Sequence, residues 1–228
     1  MYILHVANKN YSSWSLRPWV LMRTLPIAFE ERLTPFQEAT NGVQFRGFSP
    51  SGRVPCLVDA ATTVWDSLAI VEYLAERHPG VWPLQPAVRA WARSAAAEMH
   101  SGFQALRSHC TMNCGLRLRL HAHTDDLRAD IERIDELWLD GLARHGGPFL
   151  GGAAYSAVDA FFAPVAFRVQ TYGLSLSEPS TAYVSRQLAL PAMSEWYEAA
   201  LHEPWREADH EAEAAAAGSA LADYRDPL

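Results

Sequence analysis

Short apolar runs alternate with stretches of helical spacing through the first 79 residues of the chain. Apolar runs of four to eight residues favour strands, and apolar residues three and four positions apart favour helices. The pattern predicts strands at residues 2–6, 29–33, 54–58 and 63–65, and helices at residues 16–25, 37–47 and 68–77. This order, strand–helix–strand followed by strand–strand–helix, indicates an α/β domain over residues 1–79.

The same element order is found in thioredoxin-like domains, which have a mixed four-stranded sheet with flanking helices. Residues 80–86 contain one glycine and two prolines and are predicted to form a linker. After the linker the strand patterns stop. Helical spacing predicts an all-helical second domain over residues 87–228, with helices at 87–109, 124–146, 156–173 and 191–202. The tail from Trp205 onward has few packing residues, and we expect it to fray.

Composition narrows the class of protein. The 228 residues are 49% hydrophobic and 20% charged, which is typical of a soluble globular chain. No apolar run approaches the roughly 20 residues that span a membrane, and no secretory signal is evident. The net charge of −7 argues against general nucleic-acid binding. Three cysteines fit neither a disulfide framework nor zinc-ligand spacing, so we expect a cytoplasmic protein without a metal.

A stretch with three serines, residues 10–19, lies between the first strand and the first helix. The carboxyl end of a strand followed by a helix N-terminus is where α/β proteins bind ligands, and the free N–H groups favour an anion. Ser12, Ser13 and Ser15 are therefore N-cap and turn residues, or donors to a bound anion, or both. We expect the helix to begin near Ser15 or Leu16, which places Pro18 in its first turn.

Two further segments could supply backbone and side-chain contacts to a ligand. A cis Val54–Pro55 bond would turn the N–H and C=O of Val54 outward to pair with a peptide-like ligand, whereas a trans proline would simply begin a strand. Asp66 and Ser67 precede the helix at 68–77. They are either caps of that helix or a site for an amino-acid head group, with Asp66 on the ammonium and Ser67 on the carboxylate.

The segment 156–159 has the S-x-x-D pattern of a capping box. In such a box Ser156 bonds the amide of the third helical residue, and Asp159 reaches back to the amide of Ser156. We expect this pair to stabilise the second domain without taking part in chemistry.

These segments, in this order and spacing, resemble the cytosolic glutathione transferases along essentially the whole chain. Residues 12–17 most resemble the serine-type zeta class, with Trp14 where that class has cysteine and Leu16 where it has tryptophan. The resemblance implies a thioredoxin-like N-terminal domain, a helical C-terminal domain, glutathione as co-substrate, a small electrophilic substrate and a homodimer.

The resemblance also implies roles for individual residues. Ser12 is the leading candidate for the hydroxyl that stabilises the glutathione thiolate, followed by Ser13 and then Ser15. Glutathione would be bound by Arg53, Val54, Pro55, Asp66 and Ser67, although Arg53 is equally well an exposed arginine. The electrophile pocket would be formed by Tyr11, Trp14, Met99, Phe103, Arg107 and Met112. Three functions stay open: a transferase, a glutathione-dependent isomerase of maleylacetoacetate type, and a non-catalytic binding protein on the same fold.

Overall fold

The structure is a computed structural model that describes residues 1–36 and 41–227. Its N-terminal part contains a four-stranded sheet in the order β2-β1-β3-β4, in which β1 pairs parallel with β2 and antiparallel with β3. The strands are β1 (Tyr2–Val6), β2 (Phe29–Leu33), β3 (Cys56–Asp59) and β4 (Thr62–Trp65), and the helices are α1 (Ser13–Thr24), α2 (Asn41–Arg46) and α3 (Ser67–Ala75). The predicted thioredoxin-like arrangement is confirmed. Residues 37–40, where the second helix was predicted to begin, lie outside the described part.

Helix α1 begins two to three residues earlier than the sequence pattern predicted. The carbonyl of Ser12 accepts the first helical hydrogen bond from Leu16 N at 3.2 Å, so the serine stretch itself forms the first turn. Pro18 therefore lies inside the helix and not in its first turn. Having no N–H, it donates nothing to the carbonyl of Trp14, four residues earlier.

The second part of the chain is mainly helical. Its helices are α4 (Pro86–Ser101), α5 (Gln104–His109), α6 (Asp125–His145), α7 (Ala157–Tyr172), α8 (Glu178–Leu188), α9 (Pro191–Leu201) and α10 (Ala208–Ala217). Helix α7 packs against α1 and α4, and α9 also contacts α1, so the two parts share one apolar core. Among the described residues, no helix is both long enough and apolar enough to cross a membrane.

Capping signals were reliable guides to the ends of these helices. Thr124 Oγ1 accepts from Leu127 N at 3.2 Å at the start of α6, and Gly146 ends that helix in the left-handed conformation. The capping box at Ser156 and Asp159 is present at the start of α7. Gly173 ends α7 with φ 61°.

Three expectations for the second part were wrong. The single helix predicted at 87–109 is broken at Gly102 and Phe103, where Phe103 has φ 58° and a new helix begins. Strands also recur: β5 (Leu116–Leu120) pairs antiparallel with β6 (Gly218–Asp223). The tail does not fray, because this pairing and the contacts described below hold it against the N-terminal part. Local patterns missed the pairing because the two strands lie about a hundred residues apart.

Candidate functional site

The serine stretch forms a chain of hydroxyl hydrogen bonds at the N-terminus of α1. Ser12 Oγ donates to Ser15 Oγ at 2.7 Å, and Ser15 Oγ accepts from Ala7 N at 3.3 Å. Ser12 is the N-cap residue of α1, yet its side chain makes no capping bond. The capping interpretation of Ser12 therefore does not hold, and its hydroxyl proton, which Ser15 accepts here, can turn to another acceptor.

A cavity of about 450 Å³ opens beside this helix N-terminus. It contains both leading catalytic candidates and four of the six residues proposed for the electrophile pocket. These lining residues are Ser12, Ser13, Tyr11, Trp14, Arg107 and Met112. We call this space the serine cavity.

A second cavity of about 460 Å³ adjoins the first and contains the residues proposed for glutathione. It is lined by Pro55, Asp66, Ser67 and His100, among others. Trp14, Arg53 and Val54 line both cavities. The two spaces, which we call the serine cavity and the cap cavity, therefore meet at these three residues.

Asp66 and Ser67 lie at the start of α3 and also line the cap cavity. The Asp66 carboxylate caps α3, accepting from Leu68 N at 2.8 Å and Ala69 N at 3.3 Å, which confirms the capping interpretation. Its other oxygen faces His100 Nε2 at 3.5 Å. The Ser67 hydroxyl is buried without a hydrogen-bond partner in the described part of the chain. It is therefore available to a ligand in the cap cavity.

The Val54–Pro55 peptide bond is cis in the structure. Val54 lines both cavities and Pro55 lines the cap cavity. The segment thus lies at the junction of the two cavities, where a ligand that occupies both would contact it.

Two predicted site residues and one further candidate line neither cavity. Ser15 is fully buried and acts only through its bonds to Ser12 and Ala7. Phe103 is 6% exposed and packs in the core at the break between α4 and α5. Met99, also considered for the pocket, is fully buried in the same core. Both apolar residues follow the helical spacing that produces core positions, which explains why spacing alone misplaced them.

Sequence reasoning missed two arginines that line the serine cavity, Arg17 and Arg168. Arg17 lies four residues after Ser13 on α1, a spacing that puts both on one helix face. Arg168 is the single basic residue of the mainly apolar helix α7. A lone arginine in a buried helix was the signal that could have identified it.

Burial shapes the electrostatics of both arginines. Burial lowers the pKa of Arg17 well below its usual value, and the neighbouring Arg107 and Arg168 act in the same direction. Burial likewise lowers the pKa of Arg168 to about 10. The cavity therefore holds positive charge at neutral pH in poorly solvated surroundings.

The tail of the chain closes over the start of the serine stretch. The buried carboxylate of Glu203 accepts hydrogen bonds from Lys9 N and from Asn10 N, the latter at 3.2 Å. Tyr11 Oη donates to Glu211 at 2.7 Å, and Arg225 donates to both oxygens of Glu211. These contacts hold residues 9–11, which directly precede Ser12 and Ser13.

The chemistry of the joined cavities is that of an anion site next to a hydrophobic and aromatic one. Hydroxyls and a helix N-terminus favour a negatively charged atom at the junction. No cluster of three or more potential ligands suited to a metal ion occurs in residues 1–36 and 41–227. All three cysteines are free and buried, and none of them lines either cavity.

Comparisons with known proteins place the fold in a family. The model of the glutathione S-transferase N-terminal domain matches residues 11–77, and that of the C-terminal domain matches residues 120–199. A probable maleylacetoacetate isomerase of Caenorhabditis elegans is 23% identical in an alignment of 201 positions. The alignment covers 83% of this chain and 90% of that protein.

Solved structures share the same fold at low identity. A glutathione transferase homologue from Burkholderia GL BGR1, with bound glutathione, is 22% identical with a TM-score of 0.65, covering 87% of this chain and 97% of its own. A theta class glutathione S-transferase from Xanthomonas axonopodis pv. citri, with glutathione bound, is 22% identical with a TM-score of 0.64, covering 86% and 96%. The two domain models together with the observed two-part architecture show that the chain belongs to the cytosolic glutathione transferase family.

Proposed function

We propose that this protein is a glutathione transferase that joins the glutathione thiolate to small electrophilic compounds. The observation that carries the proposal is the meeting of two cavities at Trp14, Arg53 and Val54. The cap cavity would hold the γ-glutamyl end on Asp66 and Ser67. The cysteinyl part would lie along Val54 and Pro55, with the thiol directed to the serines. We further propose a cytoplasmic homodimer.

The proposed role of the serine is to stabilise the thiolate. A free cysteine thiol has a pKa of about 8.5, so only a few per cent of such a thiol is ionised at neutral pH. A hydrogen bond to a charged group contributes roughly 1.5–3 kcal/mol, and each pKa unit corresponds to about 1.36 kcal/mol. One hydroxyl can therefore lower the thiol pKa by about one to two units, and the dipole of α1 adds to this.

The conjugation step then needs no further base. The thiolate sulfur supplies the electron pair that forms the new C–S bond, and a leaving group such as chloride departs with the pair of the broken bond. Ser12 Oγ donates its single proton to Ser15 Oγ, so on glutathione binding this O–H turns to the sulfur, and Ser15, which accepts from Ala7 N, donates to Ser12 Oγ instead. Because the contact with Ser15 holds the Ser12 oxygen in place, we favour Ser12 as the group that contacts sulfur.

The test is glutathione binding by calorimetry, followed by conjugation of 1-chloro-2,4-dinitrobenzene. We expect Ser12→Ala to raise the pKa of the bound thiol by about one to two units, measured from thiolate ultraviolet absorbance, while glutathione affinity changes little. Ser185→Ala on α8, an exposed serine, is the matched control. Unchanged turnover in Ser12→Ala with loss in Ser13→Ala would transfer the role to Ser13. Failure to bind glutathione at millimolar concentration would end the proposal.

A second candidate is glutathione-dependent cis–trans isomerisation, which the C. elegans relative and the paired serines favour. In that reaction glutathione adds to and leaves the substrate, so none is consumed. Turnover of a cis-enone diacid with no net loss of glutathione, and no conjugation of the aryl chloride, would favour the isomerase.

A further inference from the structure

The serine cavity has a charge opposite in sign to that of the whole protein. Four arginines line it, together with one carboxylate, Glu213. The chain as a whole has a net charge of −7. A cavity for purely apolar electrophiles does not need such a wall, because each buried cation is costly unless it is paired.

Arg17 is the most unusual member of this group. Its side chain is 1% exposed, and its Nε and Nη1 atoms are buried with no hydrogen-bond partner in the part of the chain that the structure describes. Its guanidinium carbon lies 4.0 Å from the centre of the Trp14 ring and 5.0 Å from that of Phe161. Aromatic rings cover the guanidinium face but cannot accept its in-plane N–H bonds, and those bonds therefore await an acceptor.

The neighbouring arginines are held in place by backbone carbonyls. Arg168 Nε donates to Cys110 O at 2.7 Å and its Nη1 to Pro164 O at 3.2 Å. Arg107 Nη2 donates to Met99 O and to His100 O, while its Nε is buried without a partner. Within residues 1–36 and 41–227, none of Arg17, Arg107 and Arg168 forms an ion pair with a carboxylate. Arg107 and Arg168 are thus fixed in position, and none of the three guanidinium groups is neutralised by direct contact with a carboxylate that the structure describes.

We infer that the electrophile bound in the serine cavity carries a carboxylate, which Arg17 recognises with Arg107 beside it. This inference rests on the proposed function. A carboxylate presents two acceptor oxygens in one plane, which matches the in-plane N–H groups that Trp14 leaves open. Trp14 has a double role: it covers Arg17, and its ring centre is 4.6 Å from the Arg107 guanidinium carbon.

The inference is tested with two electrophiles of nearly equal shape, 4-chloro-3-nitrobenzoate and 4-chloro-3-nitrobenzamide. For each, kcat/KM is divided by the uncatalysed rate constant with glutathione, which removes the difference in intrinsic reactivity. We expect the protein to prefer the benzoate by about 10- to 100-fold. Arg17→Gln removes most of that preference, measured as the ratio of the two corrected kcat/KM values for the same variant.

Arg186→Gln on α8 is the matched control, because it makes the same change of arginine to glutamine at a residue that lies outside both cavities. It keeps the preference. If Arg17→Gln does not fold, as judged by circular dichroism, Arg107→Gln takes its place and must lower the preference. Calorimetry gives the same comparison without turnover. The affinities of the unreactive 3-nitrobenzoate and 3-nitrobenzamide are compared in the presence of S-methylglutathione.

Equal turnover of the two electrophiles by the unaltered protein would overturn the inference and leave the proposed function standing. An equal loss of both activities in Arg17→Gln would also overturn it, since the guanidinium would then serve the thiolate and not the substrate. Absence of glutathione binding and of all conjugation is the distinct result that rejects the proposed function itself.

Discussion

Replacing Glu203 by glutamine should remove a pH dependence of stability that originates in the tail. Glu203 is 5% exposed and accepts from the backbone N–H groups of Lys9 and Asn10. Burial raises the pKa of its carboxyl from 4.5 to about 7, although both N–H groups act in the opposite direction. The native protein therefore takes up this proton at a higher pH than the unfolded chain does.

The sign and size of the effect follow from that difference in proton uptake. Between the two pKa values the native state binds more protons, so the free energy of unfolding falls as pH rises through this window. The slope is about 1.4 kcal/mol per pH unit and the total is roughly 3 kcal/mol. The contribution is complete below the unfolded pKa and is lost above the folded one. Glutamine does not titrate, and its variant lacks this slope.

The assay is urea unfolding at several pH values between about 5 and 8, comparing the two proteins at each value. Asp159, whose pKa burial raises to about 6, contributes in the same direction in both proteins and cancels in the comparison. Parallel curves for the two proteins would refute the reasoning, because they would mean that the two N–H groups keep Glu203 ionised throughout. Glu203→Ala, which leaves both N–H groups without an acceptor, should cost about 2–6 kcal/mol.

Three other predictions concern a buried carboxylate, a helix cap and the reactivity of the thiols. Asp159→Ala should lower the free energy of unfolding by at least about 3 kcal/mol, because it leaves the N–H groups of Leu150 and Ser156 and the hydroxyl of Tyr183 without an acceptor; a loss below about 1 kcal/mol in urea unfolding would contradict this. Thr124→Ala should cost about 1 kcal/mol by the same measurement, while Thr124→Ser, which keeps the cap, should cost little. The three buried cysteines should react with iodoacetamide only after unfolding, since burial raises their thiol pKa values; rapid labelling of the native protein would show otherwise.

The sequence was most informative where local chemistry decides the structure. The strands Tyr2–Val6 and Phe29–Leu33 were predicted with the bounds they have. Thr124 and Gly146 marked the ends of α6 for the same reason, because a cap depends on neighbours within a few residues. The three segments proposed for the site, at residues 10–19, 54–55 and 66–67, also depend on short spacing, and each contributes residues that line the joined cavities.

What the sequence did not predict depends on contacts between distant residues. The approach of Glu203 to Lys9 and the pairing of β5 with β6 follow from tertiary packing that no local pattern encodes. The charge in the serine cavity was missed for a related reason. Arg107 was considered, but Arg17 and Arg168 join it only when α1 and α7 pack together.

The contacts of the tail have a consequence for synthesis of the chain. Lys9, Asn10 and Tyr11 are synthesised some two hundred residues before their partners Glu203, Glu211 and Arg225. The hydrogen bonds that hold the backbone ahead of the serines therefore cannot form on a nascent chain that still has residue 225 inside the exit tunnel. The site described here is therefore completed only after residue 225 has left the exit tunnel, and until then the serine stretch lacks this support.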